Sequence, residues 1–125
     1  MKFLLVDDSR TMRNIQKKVL SAMAGSEFFE AGDGLEAMTL IQSTPGGFDV
    51  MIVDWNMPNM NGLALVKKVR ETDKKTLMIM ATTEAEKGRV LDAIRAGVNN
   101  YVVKPFTPEG LLDKVSQTLA KAKAA

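Results

Sequence analysis

Five short apolar runs, separated by stretches with helical periodicity, constrain this 125-residue chain more than any other feature. Phe3-Leu4-Leu5-Val6, Val50-Met51-Ile52-Val53 and Leu77-Met78-Ile79-Met80 are apolar at every position, where a strand with one wet face would alternate. Such runs read as strands covered on both faces. Glu27-Phe28-Phe29-Glu30 and Tyr101-Val102-Val103 are weaker runs that suit the edges of a sheet. Between them, Met12, Ile15, Val19 and Met23 mark the apolar face of one amphipathic helix, and Leu111, Leu112, Val115 and Leu119 mark another near the C-terminus. The latter opens at Thr107-Pro108-Glu109, a hydroxyl cap, a proline at the first helical position and an acid in the first turn, and it closes among Lys121 and Lys123. Three further helices are expected at about Leu35 to Ser43, Leu63 to Glu71 and Ala85 to Ala96. The result is (βα) repeated five times, an α/β fold with a parallel sheet, helices on both faces and right-handed crossovers. The pattern shows no linker or repeat, so one domain over residues 1–125 is expected, with no output domain.

Composition narrows the chemistry. The chain has no cysteine and no histidine, which excludes disulfides, a thiol nucleophile, a Cys/His zinc site, a Ser-His-Asp triad and an imidazole shuttle. Carboxylates, hydroxyls, amines and backbone are what remain. The net charge of +2, without a basic run, gives no nucleic-acid footprint. No apolar run approaches membrane-spanning length and the opening MKFLLVDD turns acidic too soon for a signal peptide, so a cytoplasmic location without membrane contact is expected.

In an open α/β sheet, ligands bind outside the carboxyl ends of the strands. Those ends carry Asp7-Asp8, Asp54, Thr82 and Lys104-Pro105. Two carboxylates about 4 Å apart repel by roughly 4 kcal/mol at an effective dielectric near 20, so three need neutralising. The three aspartates contribute −3 when ionised, Lys104 returns +1, and one divalent cation closes the sum. All-oxygen ligation favours Mg²⁺. A carboxylate beside a cation, an ammonium and a hydroxyl is suited to receiving a phosphoryl group, which needs positioning and neutralised oxygens. Asp54, alone at the end of the third strand, is the expected nucleophile, and an acyl phosphate on it the expected product.

Asp7-Asp8, Asp54 with Trp55-Asn56-Met57-Pro58-Asn59-Met60-Asn61-Gly62, Ala81-Thr82 and Tyr101-Val102-Val103-Lys104-Pro105-Phe106 together resemble the receiver domain of two-component response regulators, and most of all its stand-alone chemotaxis members. The likeness spans nearly the whole chain. It implies a flavodoxin-like sheet in the order 2-1-3-4-5, an order carried over from the family rather than read from these residues. It further implies Asp54 as phosphoacceptor, Mg²⁺ held by Asp8, Asp54 and the backbone carbonyl of Asn56, and Asp7 acting through a metal-bound water. Lys104 and Thr82 would hold phosphoryl oxygens, with a cis bond between Lys104 and Pro105. Tyr101 would turn into space vacated by Thr82, which would switch the face formed by the fourth helix, fifth strand and fifth helix. Lys87, Val90, Tyr101 and Lys114 would contact partners on that face, and Asn56 and Glu84 would tune hydrolysis. The partners implied are a CheA-like histidine kinase and a FliM-like flagellar motor switch protein, the presence of a phosphatase being left open, with the chain a monomer that takes part in its own phosphorylation rather than a turnover enzyme. Asn61 stands where many receivers carry an acid.

Simpler readings exist for each residue. Asp7-Asp8 or Ser9 can cap the first helix, Thr83 competes with Thr82, Lys104 can be a solvated lysine, and the nine methionines are core filler. Gly32-Asp33-Gly34-Leu35-Glu36-Ala37 fits a dinucleotide fingerprint, yet Asp33 followed by Glu36 also reads as a helix N-terminus. A metal-dependent phosphohydrolase of the haloacid dehalogenase type would want an acid two residues past Asp54, where Asn56 stands. A phosphorelay intermediate is the nearest alternative within the receiver reading.

Overall fold

The structure, a computed structural model, describes residues 1–83 and 87–124. Strands and helices alternate from end to end: β1 (Lys2–Val6), α1 (Arg10–Leu20), β2 (Glu27–Ala31), α2 (Gly34–Ser43), β3 (Val50–Asp54), α3 (Gly62–Arg70), β4 (Leu77–Thr82), α4 (Lys87–Ala96), β5 (Asn100–Val103) and α5 (Pro108–Ala124). All strand pairs are parallel and the order is β2-β1-β3-β4-β5, as the family likeness implies. β1, β3 and β4 are interior strands with apolar residues on both faces, whereas β2 and β5 lie at the edges and are only partly covered.

The two faces sort by strand parity. Phe3, Leu5, Ile52, Ile79 and Val102 pack with Leu20 of α1 and with Leu111 and Val115 of α5. Leu4, Val6, Met51, Val53, Met78 and Met80 pack with Ala37 of α2, with Leu65, Val66 and Val69 of α3, and with Ala93 of α4. Successive strand residues point to opposite faces, so a continuous apolar run feeds two cores at once. That is the physical reason the runs do not alternate.

Helix starts follow local chemistry. The Ser9 hydroxyl accepts from Met12 N–H at 3.1 Å and caps α1; Asp33 caps α2 by accepting from Glu36 N–H at 2.8 Å; Thr107 accepts from Gly110 N–H at 2.9 Å ahead of Pro108. Gly97, at φ +117°, leaves α4 in a conformation that L side chains avoid. The Arg70 Nε donates to its carbonyl at 2.9 Å.

Two expectations need correction. Met23 lies beyond the end of α1 at Leu20, though it still packs against the core. Ile15, expected on the buried face, is 44% exposed, and Gln16 is buried instead. The helix turns its Gln16 and Leu20 line, spaced i and i+4, toward the sheet, and Ile15 is about 100° away. Gln16 thereby carries a cost, because its Oε1 is buried without a hydrogen-bond partner among the described residues.

An unpaired buried amide oxygen costs about 1–3 kcal/mol. Gln16→Met, close in volume and without polar atoms, is therefore expected to raise the thermal midpoint by several degrees. Calorimetric unfolding of the two proteins checks this, and an unchanged or lowered midpoint would count against the unsatisfied amide.

Candidate functional site

β1 delivers Asp7 and Asp8 to the carboxyl edge of the sheet, β3 ends on Asp54, β4 ends on Thr82, and Lys104 follows β5. The structure brings these together. One oxygen from each of Asp7, Asp8 and Asp54 lies within 4.8 Å of the others. Lys104 Nζ donates to Asp7 Oδ2 at 2.8 Å and to Asp54 Oδ1 at 3.0 Å. Thr82 is buried beside them, and its carbonyl accepts from Lys104 N–H at 2.7 Å. The Lys104–Pro105 bond is cis, as the resemblance implies.

The aspartates differ in their surroundings. Asp7 is buried and both its oxygens are engaged, Oδ1 by Ser9 N–H at 2.9 Å and Oδ2 by Lys104. Arg13 donates to the Asp7 carbonyl at 2.6 Å while its Nε pairs with Glu30 at 3.0 Å. This fixes the end of β1 from α1, a role that sequence patterning missed because Arg13 reads as an ordinary polar helix residue. Asp8 is exposed. Asp54 keeps only 9% of its side-chain surface accessible. Burial and the nearby charge of Asp7 push its pKa upward, against the lowering effect of Lys104. For Lys104 burial opposes the charge, but the hydrogen bonds to Asp7 and Asp54 prevail and hold its pKa above the ordinary lysine value.

The donor set fits a hard cation. Three ionised aspartates against one ammonium leave −2, every donor is a carboxylate oxygen, and exposed Asp8 opens the cluster to solvent. Small divalent ions of the oxygen-seeking kind match such a set.

The loop after β3 is held by close packing. Gly62 N–H donates to the Trp55 carbonyl at 2.9 Å, and a Cβ on Gly62 would overlap the Asp54 carbonyl. Asn61 caps α3, its Oδ1 accepting from Ala64 N–H at 2.9 Å, which gives that position a structural use without an acid. Asn56 is exposed in this loop. The Arg89 guanidinium lies 5.0 Å from the Trp55 ring centroid. Trp55, Thr82, Arg89, Val90 and Tyr101 border a narrow apolar gap with no room for water. Lys114 Nζ sits 4.9 Å from the Tyr101 ring centroid. Thus Val90, Tyr101 and Lys114 gather near one another, Lys87 begins α4, and Glu84 lies outside the described residues. The Gly32-Asp33-Gly34 segment forms no phosphate cradle: Asp33 caps α2, and a Cβ on Gly34 would meet Met60 at 2.7 Å.

Two outcomes follow from this packing and charge. Because the folded-state pKa of Asp54 is raised, its ionised form is disfavoured by folding, a penalty absent below the unfolded pKa and fully present above the folded one. Asp54→Asn should then raise the thermal midpoint at neutral pH without divalent metal, by about 3–5 °C per kcal/mol relieved. The gain should vanish as pH falls through the carboxylate range, and melts across pH check it. Gly62→Ala should cost about 1–3 kcal/mol by overpacking the loop, read as a lower denaturant midpoint.

Comparison with known proteins agrees with this geometry. The response regulator receiver domain family matches residues 3–116. Chemotaxis protein CheY1 of Helicobacter pylori is 50% identical over 121 residues, covering 95% of this chain and 97% of that protein. Chemotaxis protein CheY of Pseudomonas aeruginosa is 42% identical over 119 residues, covering 94% of each. Among solved structures, chemotaxis protein CheY4 of Vibrio cholerae superposes with a TM-score of 0.85 at 39% identity, over 94% of this chain and 97% of that one. The chain belongs to the response regulator receiver domain family and is of the CheY chemotaxis type.

Proposed function

We propose that this chemotaxis regulator is switched by Mg²⁺-dependent transfer of a phosphoryl group to Asp54. The observation that carries the reading is Lys104 bridging Asp7 and Asp54 at a sheet edge that also holds Asp8 and Thr82. A phosphohistidine of a CheA-like kinase supplies the group: the N–P bond breaks, an Asp54 carboxylate oxygen forms the new O–P bond, and the imidazole nitrogen leaves and is protonated. Asp8, Asp54 and the Asn56 carbonyl would hold the Mg²⁺, and Asp7, whose oxygens are already engaged by Ser9 and Lys104, would act on it through water. When bound, the cation neutralises phosphoryl oxygens and lowers the charge cost of bringing them to the carboxylates. Lys104 exchanges an aspartate contact for a phosphoryl oxygen, and the Thr82 hydroxyl binds another.

Signal leaves through the face of α4, β5 and α5. The gap beside Thr82 is too tight for water and is bordered by Tyr101, so a shift of Thr82 toward the phosphoryl makes room for the Tyr101 ring. This biases Lys87, Val90, Tyr101 and Lys114 toward a form that binds a FliM-like motor switch protein. Asn56 and Glu84 set the rate of hydrolysis, with or without a phosphatase. The protein acts as a cytoplasmic monomer of one receiver domain.

Incubation with Mg²⁺ and a small phosphodonor is expected to place one acid-labile phosphate on each wild-type chain and none on Asp54→Asn. Stoichiometric labelling of that variant would refute the assignment. Lys104→Ala should still be labelled but lose the label-dependent gain in binding to a motor-switch peptide, measured by fluorescence anisotropy; an undiminished gain would remove Lys104 from the switch.

A further inference from the structure

The segment Gly32-Asp33-Gly34 has the look of a nucleotide motif and no such geometry, so its arrangement asks for another use. Asp33 divides its carboxylate between two tasks. Oδ1 accepts from Glu36 N–H and caps α2, while Oδ2 accepts from Asn59 Nδ2 at 2.7 Å. Asn59 is the one non-glycine residue with positive φ among the described residues, at 66°, and it sits at the far turn of the loop that follows Asp54. Gly34 lies against the neighbouring Met60 so closely that a side chain would displace it.

The loop is therefore pinned twice. At its base Gly62 bonds the Trp55 carbonyl and packs on Asp54; at its tip Asn59 is tied to α2 across 26 positions of sequence. Asn56 lies between the two pins. A hydrogen bond to a carboxylate is stronger than a neutral one, and here it steadies a left-handed residue whose backbone conformation is uphill for an L side chain.

We infer that Asp33 and Asn59 form a clamp that positions the Asn56 backbone carbonyl toward the cation site, making Asp33 a positioning residue for metal binding from outside the acidic cluster. The inference rests on the proposed Mg²⁺ site, extending it to α2. Groups that orient metal ligands without touching the metal typically change affinity by roughly 10–100-fold when lost.

The test exchanges the partners. Asn59→Asp keeps a residue that tolerates positive φ but sets two carboxylates against each other. Adding Asp33→Asn restores one donor and one acceptor in reversed order, returns the wild-type net charge, and leaves an amide oxygen to cap Glu36. Each protein is titrated with Mg²⁺ while Trp55 emission is followed. Amide hydrogen exchange over residues 55–62 is measured in the metal-free chain.

Asn59→Asp is expected to weaken Mg²⁺ binding by about tenfold and to speed loop exchange, and the double variant to recover both. An extra negative charge by itself would strengthen cation binding, so weakening identifies the loop. Tighter or unchanged binding by Asn59→Asp, or failure of the double variant to recover, overturns the clamp. A wild-type chain whose Trp55 ignores Mg²⁺ overturns the proposed metal site instead, and the metal-free exchange still decides whether the clamp holds the loop.

Discussion

Lys104 lets two nearly buried carboxylates share the end of one sheet. Its ammonium, bonded to Asp7 and Asp54, comes from the residue just after β5, a strand two positions away from β3 across the sheet, and 50 residues on from Asp54. Without that bridge the ends of β1 and β3 would each face an uncompensated charge in a poorly hydrated place, where breaking such a pair is strongly destabilising. The rest of the site is arranged around it. Asp7 is secured by Ser9 and Arg13, Thr82 receives the Lys104 amide, and exposed Asp8 keeps one side open.

The same arrangement holds the site short of electrical balance. One cation cannot offset three aspartates, and the charge of Asp7 adds to burial in pushing the pKa of Asp54 upward. The fold tolerates it because strands of a parallel sheet end in register, with Val6 beside Val53 and Val53 beside Met80. The residues just after those positions cannot avoid meeting. Charge stored in this way suits the proposed binding of a cation and acceptance of a phosphoryl group, and it is the opposite of what stability alone would select.

Much of this was legible in the chain before any coordinates. Apolar runs in β1, β3 and β4 named the interior strands because each residue type had to satisfy a core on its own face, and strand ends named Asp7, Asp8, Asp54, Thr82 and Lys104 because such sheets gather ligands there. What patterning could not reach were matters of angle and distance. Ile15 and Gln16 are adjacent, and a small rotation of α1 decides which is buried. Arg13 and Gly62 act through contacts with backbone that folds back on itself, Asn59 acts through a side-chain bond to a residue distant in sequence, and a single sequence carries no periodic signal for such contacts. Asn61 looked like a missing acid and proves to be a helix cap, a use that needs only an oxygen.

The stacking of Arg89 on Trp55 has an optical consequence. The single indole of the chain is joined by the peptide backbone to Asp54, the proposed acceptor, and overlaid by a cation from α4. Its emission therefore records two things at once, the electric field at the sheet edge and the distance of a helix. A spectral shift and a change in intensity would not have to move together. Their separate time courses would show whether the helix follows the chemistry or already samples its new position before it.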